Sequence, residues 1–429
     1  MITTSVVVCA YTEDRWDDIV RAVDSLAGQS RGPDEILVVV DHNPDLARRA
    51  TEQWPGPLLV SVVESDRPRG LSGARNTGLA SATGDVVAFL DDDAVARPGW
   101  LEAILAPFDD AAVVAVGGAA EPQWPDDSGA PACLPLELLW VVGCSYVRDE
   151  EDRDVRNVMG CSMALRRSSA LALGGFTERL GRRGTAPSGC EETDLCIRLR
   201  QADAGARVVL TPAAVVDHRV TPARTRWRYL VRRCWGEGRS KATLSRLVGD
   251  GDGLATERSY VVSAIPRAVW REFTIAVRGG GSRRRALGAA VALPLAVLVT
   301  ALAYFVGLVT SVASAGWTAQ VGLRRAMALA LLVLGAAASV SAFVGAEGPT
   351  RLAVTVLFLV LGPGWAVAGF LRGAPVALVW TIALAVGCAV GVLGGQAMVV
   401  AQEFHPVLAL YLVALVCLPL LVRHAVAVR

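Results

Sequence analysis

Residues 84–93 read Gly-Asp-Val-Val-Ala-Phe-Leu-Asp-Asp-Asp. A short β-branched and aromatic run, entered through Gly-Asp and closed by three carboxylates, reads as a strand buried on both faces. The pattern recurs upstream in SVVVCA (5–10), EILVVV (35–40) and LLVSVV (58–63). Between the first two lies WDDIVRAVDSLA (16–27), whose spacing places Ile19, Val23 and Leu26 on one helical face. A second helix is expected over 72–82. This alternation predicts an α/β domain with a Rossmann-like, mostly parallel sheet covered on both faces. Ligands of such sheets bind beyond the carboxyl ends of the strands. Each of those ends is polar here: Tyr11-Thr12-Glu13, Asp41, and Asp91-Asp92-Asp93.

Further on the pattern is mixed. A Pro-rich loop spans 121–135, a Gly-Gly turn stands at 174–175, a helix is expected from Glu191 to about Ala204, and 208–217 reads as a strand ending at His218. Residues 219–246 hold nine basic groups and one acid, interleaved with Trp227, Tyr229, Leu230 and Trp235. Apolar runs follow at 286–313, 326–346, 352–371, 375–400 and 406–422. Several reach the ~20 residues that cross a bilayer.

The composition agrees with this division. The chain has 429 residues, 53% of them hydrophobic, and a mean hydropathy of +0.42, too apolar for an ordinary soluble enzyme. Of 42 basic and 41 acidic side chains, residues 286–429 contain only six Arg and two Glu. The front 285 residues therefore carry 36 basic and 39 acidic groups, with no excess of positive charge to suggest nucleic acid. The expected domains are 1–220 (catalytic), 221–285 (basic amphipathic juxtamembrane segment) and 286–429 (all-α, transmembrane). The nine cysteines form no CxxC pair, which fits reduced thiols in the cytosol. No cleavable leader is visible after Met1, so the front half is expected to stay in the cytoplasm.

Three adjacent carboxylates at a strand end repel one another unless a cation neutralises them. A hard divalent ion bridging to a diphosphate is the natural partner. In GLSGARN (70–76), Gly70 permits close approach of backbone to a ligand, and Arg75 suits a diphosphate. The pair Glu191-Glu192 opens a helix, where acidic groups favour the dipole and where one could also take a proton from an attacking hydroxyl.

SVVVCAY, ILVVVD, GLSGARNTGLASATGDVVAFLDDDA, GCSMALRR, GGF, EETDLCIRLR and a later His together resemble the family 2 glycosyltransferases, over about residues 3–220. The LP–W–VG stretch at 134–143 also looks like hexuronic-acid-type transferases that extend lipid-linked glycans. The resemblance implies a GT-A fold and an inverting sugar transfer. It places Ala10, Tyr11 and Glu13 at the base pocket, Asp41 at uracil or ribose, and Arg75 near the diphosphate. Asp91 would touch ribose or sugar, with Gly70 and Asp92 completing the donor site. Asp93 and His218 would ligate Mg²⁺ or Mn²⁺. Glu192 stands where the family has the Asp that acts as base; with its longer arm, Glu191 remains a rival.

The expected activity is transfer of a sugar from a nucleotide-sugar, UDP-linked by family, to a polyprenyl-phosphate-linked or other membrane glycan acceptor. A nucleotidyltransferase, or an inactive membrane scaffold with a transferase-like domain, are the alternatives. Arg232, Arg233, Arg239 and Lys241 are candidates for a lipid pyrophosphate or anionic headgroups. Membrane lipids and other membrane proteins are the expected partners, at the cytoplasmic membrane with the catalytic domain in the cytosol. The arginine distribution favours a hairpin over 286–322, helped by Pro294 and the Gly307–Gly316 stretch, followed by four spans and a cytosolic C-terminus. Five plain spans are the rival.

Overall fold

The computed structural model describes residues 2–55, 59–125, 129–145, 150–182, 184, 187–278, 282–312, 317–371, 376–400, 402 and 404–426. It divides into two compact units, Met1–Gly307 and Leu308–Arg429.

The first unit is built on one sheet. Its strands are β1 (Thr4–Ala10), β2 (Glu35–Val40), β3 (Val60–Glu64), β4 (Val86–Asp91), β5 (Ala94–Ala96), β6 (Val113–Gln123), β7 (Arg153–Asp154), β8 (Ser162–Arg166) and β9 (Arg207–Arg219). They lie in the order β3-β2-β1-β4-β8-β6-β9-β5, with β7 paired to β9. The first four strands are parallel, as the apolar runs predict. Their register is in step: Cys9 lies opposite both Val39 and Asp91. The ends of β1, β2 and β4 thus come to one edge.

Alternate residues of these strands feed two cores. Val6, Val8, Ala88 and Leu90 pack with Trp100 and Leu101 on one face. Val7, Leu37, Val39 and Phe89 pack with Leu79, Phe176 and Leu195 on the other. Burial on both sides is why the runs are continuous and not alternating. The Trp16–Ala27 helix buries Ile19, Val23 and Leu26 as its spacing requires.

The second half of the sheet is mixed. β8 runs antiparallel between β4 and β6, and β6 is parallel to β9. β6 carries Gly117-Gly118 at a register shift. A Cβ on Gly118 would lie 2.3 Å from the Ala214 carbonyl and from Ser162 Oγ, so the crowded centre of the sheet demands glycine there. β9 turns His218 towards the end of β4, because His218 lies opposite Ala94.

Residues 221–285, expected as a basic amphipathic juxtamembrane segment, fall within the first unit. The helix Trp227–Val248 contributes Leu230 and Cys234 to a cluster with Leu134, Leu138, Leu139, Val142, Ile265 and Ala268. Ala292, Leu293 and Ala296 of the next helix, Arg283–Val312, belong to the same cluster.

Among the described residues, five helices are long and apolar enough to cross a membrane: Arg283–Leu308, Arg325–Phe343, Pro349–Ala368, Leu378–Val399 and Pro406–Ala425. Of the hairpin expected over 286–322, the described residues show no break before Val312. Arg283–Val312 is one 30-residue helix with Pro294 inside it, about 45 Å long at 1.5 Å per residue. A helix keeps its remaining backbone bonds across a single proline, and such prolines are tolerated in apolar spans. Residues 313–316, Arg372 and Arg429, which enter the topology argument, lie outside the described residues. In the second unit Phe358, Trp365, Ala383, Leu410 and Leu421 form the core.

Candidate active site

The edge formed by β1, β2 and β4 opens into a cavity of about 420 Å³. Ala10, Tyr11, Asp41, Asp91, Asp92 and Asp93 line it, as do Arg15, Arg69, Arg182 and Arg224. Tyr11 is exposed, while Asp41 is buried. Asp41 Oδ2 accepts the Gly70 N–H at 3.0 Å and so fixes the loop that starts the Leu71–Ser81 helix. Gly70 has φ +135°, a backbone conformation that L side chains rarely adopt. Glu13, expected at the base pocket, instead lies exposed on a 3₁₀ turn outside the cavity wall.

The acidic triplet is held by side chains from far along the chain. Asp92 accepts from Arg15 Nη1 at 2.6 Å. Asp93 meets His218 Nε2 at 3.3 Å, Arg15 at 3.2 Å and Arg224 at 3.2 Å. The carboxylates expected to need an external cation are therefore already partly neutralised by the protein. Burial pushes the Asp92 carboxyl up to about 7, against the pull of Arg15. Burial would raise Asp93 too, but the His218 charge and hydrogen bond outweigh it and hold Asp93 well below the ordinary value. Burial alone would lower His218; Asp93 lifts it to about 10.

Asp91, Asp93 and His218 each offer one ligand atom within 4.8 Å of the others. Two carboxylates and an imidazole suit Mg²⁺ or Mn²⁺. Asp93 Oδ2 is buried 3.2 Å from both Arg15 and Arg224 without hydrogen-bond geometry to either, so an ion bound there would share it with two guanidinium groups. The donor set fits the ion that the sequence predicts.

Arg75 is placed differently from its expected position. Its side chain is 2% exposed and does not line the cavity. Nη1 donates to Glu191 Oε1 at 2.8 Å, and Nη2 donates to Asp91 Oδ1 at 3.1 Å and to the Gly160 carbonyl at 2.9 Å. A guanidinium committed to three acceptors is a brace between Asp91 and Glu191. Asn76 is likewise structural: its side chain donates to the Phe176 carbonyl and accepts the Phe176 N–H.

The helix Glu191–Ala202 starts at Cys190, a non-glycine residue with φ +74°. Such strain persists only where surroundings impose it. They do so here: Gly189 N–H donates to Ser240 Oγ, Cys190 Sγ to Glu237 Oε1, and Arg233 Nη1 to the Pro187 carbonyl. Of the two rival bases, Glu191 is buried against Arg75. Glu192 is half-buried, its Oε2 lacks a hydrogen-bond partner, and burial, then the Glu191 charge, pushes its carboxyl up to about 8. Asp194, two residues on, is tied to Thr177 and Arg198.

Two of the expected phosphate ligands are otherwise engaged. Arg233 and Lys241 both pair with Glu237, and Lys241 also meets Glu257, which Arg156 holds from the other side. Arg232 and Arg239 are exposed on the same helix. The cavity arginines 15, 69, 182 and 224 were not singled out by sequence, since isolated arginines carry no spacing signal in a chain whose basic residues are nearly all Arg.

Residues 5–174 match the glycosyl transferase family 2 domain. The chain is 34% identical over 245 residues to the glucosyl-dolichyl phosphate glucuronosyltransferase of Haloferax volcanii, covering 57% of this chain and 77% of that protein. It is 34% identical over 159 residues to the pre-mycofactocin glycosyltransferase of Mycobacterium tuberculosis, covering 37% of this chain and 32% of that one. Among solved structures, the mannosyltransferase of Pyrobaculum calidifontis in complex with GDP-Man and Mn²⁺ aligns with a TM-score of 0.46 and 23% identity, over 72% of this chain and 86% of that one. The match to the family domain, together with the long alignment to the Haloferax enzyme, sets aside the nucleotidyltransferase and scaffold alternatives: this chain belongs to glycosyl transferase family 2.

Proposed function

We propose that the protein is an inverting transferase that moves a sugar from a UDP-sugar to a polyprenyl-phosphate-linked glycan at the cytoplasmic membrane, with its first unit in the cytosol. The observation that carries this reading is the convergence of Asp91, Asp93 and His218, with both carboxylates on the wall of an arginine-lined cavity. A lipid-linked acceptor is supported by the name of the Haloferax relative and by five apolar helices of spanning length.

Asp91, Asp93 and His218 would hold Mg²⁺ or Mn²⁺, which when bound offsets charge on the departing diphosphate. Arg15, Arg69, Arg182 and Arg224 supply further positive charge to the same cavity. Asp41 and Ala10 shape its nucleotide end, and Tyr11 offers an exposed ring for stacking. Glu192 takes the proton of the acceptor hydroxyl. The acceptor oxygen then bonds to the anomeric carbon as the bond to the nucleotide breaks, on the opposite face. Arg75 keeps Glu191 and Asp91 in place while this occurs.

A panel of nucleotide-sugars incubated with Mg²⁺ or Mn²⁺, without acceptor, tests the reading. Metal-dependent release of UDP is expected. Release of pyrophosphate, or turnover indifferent to chelator, refutes it.

A further inference from the structure

The helix Ile265–Arg278 and the turn Tyr260–Ala264 before it present two apolar faces. One is used: Ile265 and Ala268 are buried in the cluster that contains Leu138 and Leu293. The other has no cover among the described residues. Val262, Trp270, Phe273 and Val277 are 76%, 67%, 50% and 68% exposed, and their spacing puts them on one stripe. The Trp270 and Phe273 rings lie 6.0 Å apart. Arg267 and Arg278 are exposed on the same helix.

This element is held firmly. The Tyr260 hydroxyl donates to the Glu137 carbonyl at 2.5 Å. Arg271 donates to both carboxylate oxygens of the buried Glu137, at 2.7 and 3.1 Å. An ordered helix that keeps four large apolar side chains in water is an interaction surface.

We propose that this stripe beds in the anionic interface of the lipid bilayer, and that residues 261–278, in place of the basic 219–246 strip, are the lipid-facing part of the juxtamembrane region. Continuity argues for the bilayer as occupant. Five residues after Arg278 the helix Arg283–Val312 begins with Arg283-Arg284-Arg285 and then becomes a span-length apolar segment. That helix shares the inner cluster with Ile265 and Ala268, so both belong to the same compact unit. Charge argues the same way. Arg267 and Arg278 are exposed on this helix, while Arg271 is committed to Glu137 and Glu272 and is not counted. A Trp and a Phe between arginines, beside a span, is the composition of a helix lying in the headgroup layer. The Trp227–Val248 helix is less suited, because Arg233 and Lys241 are spent on Glu237 and Glu257.

The inference rests on reading Arg283–Leu308 as a span, and the test separates the two. The full chain carrying Cys388→Ser is placed in vesicles of phosphatidylcholine with a minority of phosphatidylglycerol. Nitroxide labels are introduced singly at Val262→Cys, Phe273→Cys, Val277→Cys, Arg267→Cys and Leu298→Cys, and relaxation by oxygen is compared with relaxation by a water-soluble nickel complex. Oxygen should dominate at 273 and 277, at shallower depth than at 298, and nickel should dominate at 267. Nickel dominance at 273 and 277, with 298 in lipid, overturns the proposal while leaving the span intact. Shielding of 273 and 277 from both reagents means a protein covers the stripe and also overturns it. A label at 298 that reports water removes the span and this inference together.

Discussion

Replacing Glu192 by Gln should remove the acid limb from the pH profile of turnover. The native carboxyl is pushed up to about 8 by burial and then by the neighbouring Glu191 charge. It is then half ionised near pH 8 and roughly one-tenth ionised at pH 7, because each pH unit changes the ratio tenfold. Metal-dependent UDP release by the native enzyme should therefore climb about tenfold per pH unit from pH 6 to just below pH 8 and level off above it. The Gln variant should be flat over that range and lower by about 10²-fold or more at the plateau, with donor and metal binding retained. Stability should move in the opposite sense. A carboxyl raised in the folded state stabilises below its unfolded value, and that contribution is lost as pH rises through the folded one. Glu192→Gln should thus be more stable than the native protein at about pH 8, with the difference shrinking towards acid. Glu191→Gln should move the inflection to lower pH, since it removes the like charge. A native profile flat from about pH 6 to about pH 9, or a Glu192→Gln rate within a few-fold of native, refutes the assignment. A loss confined to Glu191→Gln moves the base one residue earlier.

Three other outcomes follow from described contacts. Asp93→Ala should abolish metal-dependent turnover and, measured by thermal melting in chelator, should lower stability, because it strips the shared anion from His218, Arg15 and Arg224; an unchanged or higher melting point would restore simple carboxylate repulsion as the dominant effect. Glu237→Gln should cost about 3–5 kcal/mol by leaving Arg233 and Lys241 underpaired. Because it loosens the Pro187–Cys190 turn that presents Glu192, kcat should fall more than KM rises; equal loss in both would make Glu237 merely structural. If all five apolar helices cross, a cysteine placed just after Arg423 should be modified by an impermeant reagent in intact cells, and labelling only after permeabilisation would count against five crossings with a cytosolic first unit.

The parallel half of the sheet is legible because β1, β2 and β4 are covered on both faces, so burial writes an unbroken apolar run; the edge strand β3 is only half-buried. β6 is not legible, since Gly117-Gly118 interrupts its run and its tail is polar. Nor can the antiparallel entry of β8 be read locally: Ser162 finds Leu90 only in the folded sheet. The site divides the same way. The acidic triplet and Glu191-Glu192 announce themselves by adjacency. Arg75 looked like a ligand because its buried partner, Glu191, stands 116 residues away. The pairing of Arg233 and Lys241 with Glu237 was visible in principle, at spacings of four residues on a helix. The second half of that chain, Glu257 with Arg156, was not.

Ala292, Leu293 and Ala296 close the same core as Leu134, Leu138 and Leu230, so the seam between exchangeable parts falls near Gly307, inside a helix, and not where the apolar sequence begins. A chimera that keeps residues up to the seam and borrows its last four helices from another membrane protein retains a closed catalytic core. One that cuts at residue 285 leaves an open apolar face on the enzyme and should be recovered as aggregate. Evolution faces the same restriction: the first apolar helix must change in concert with the transferase whose core it completes.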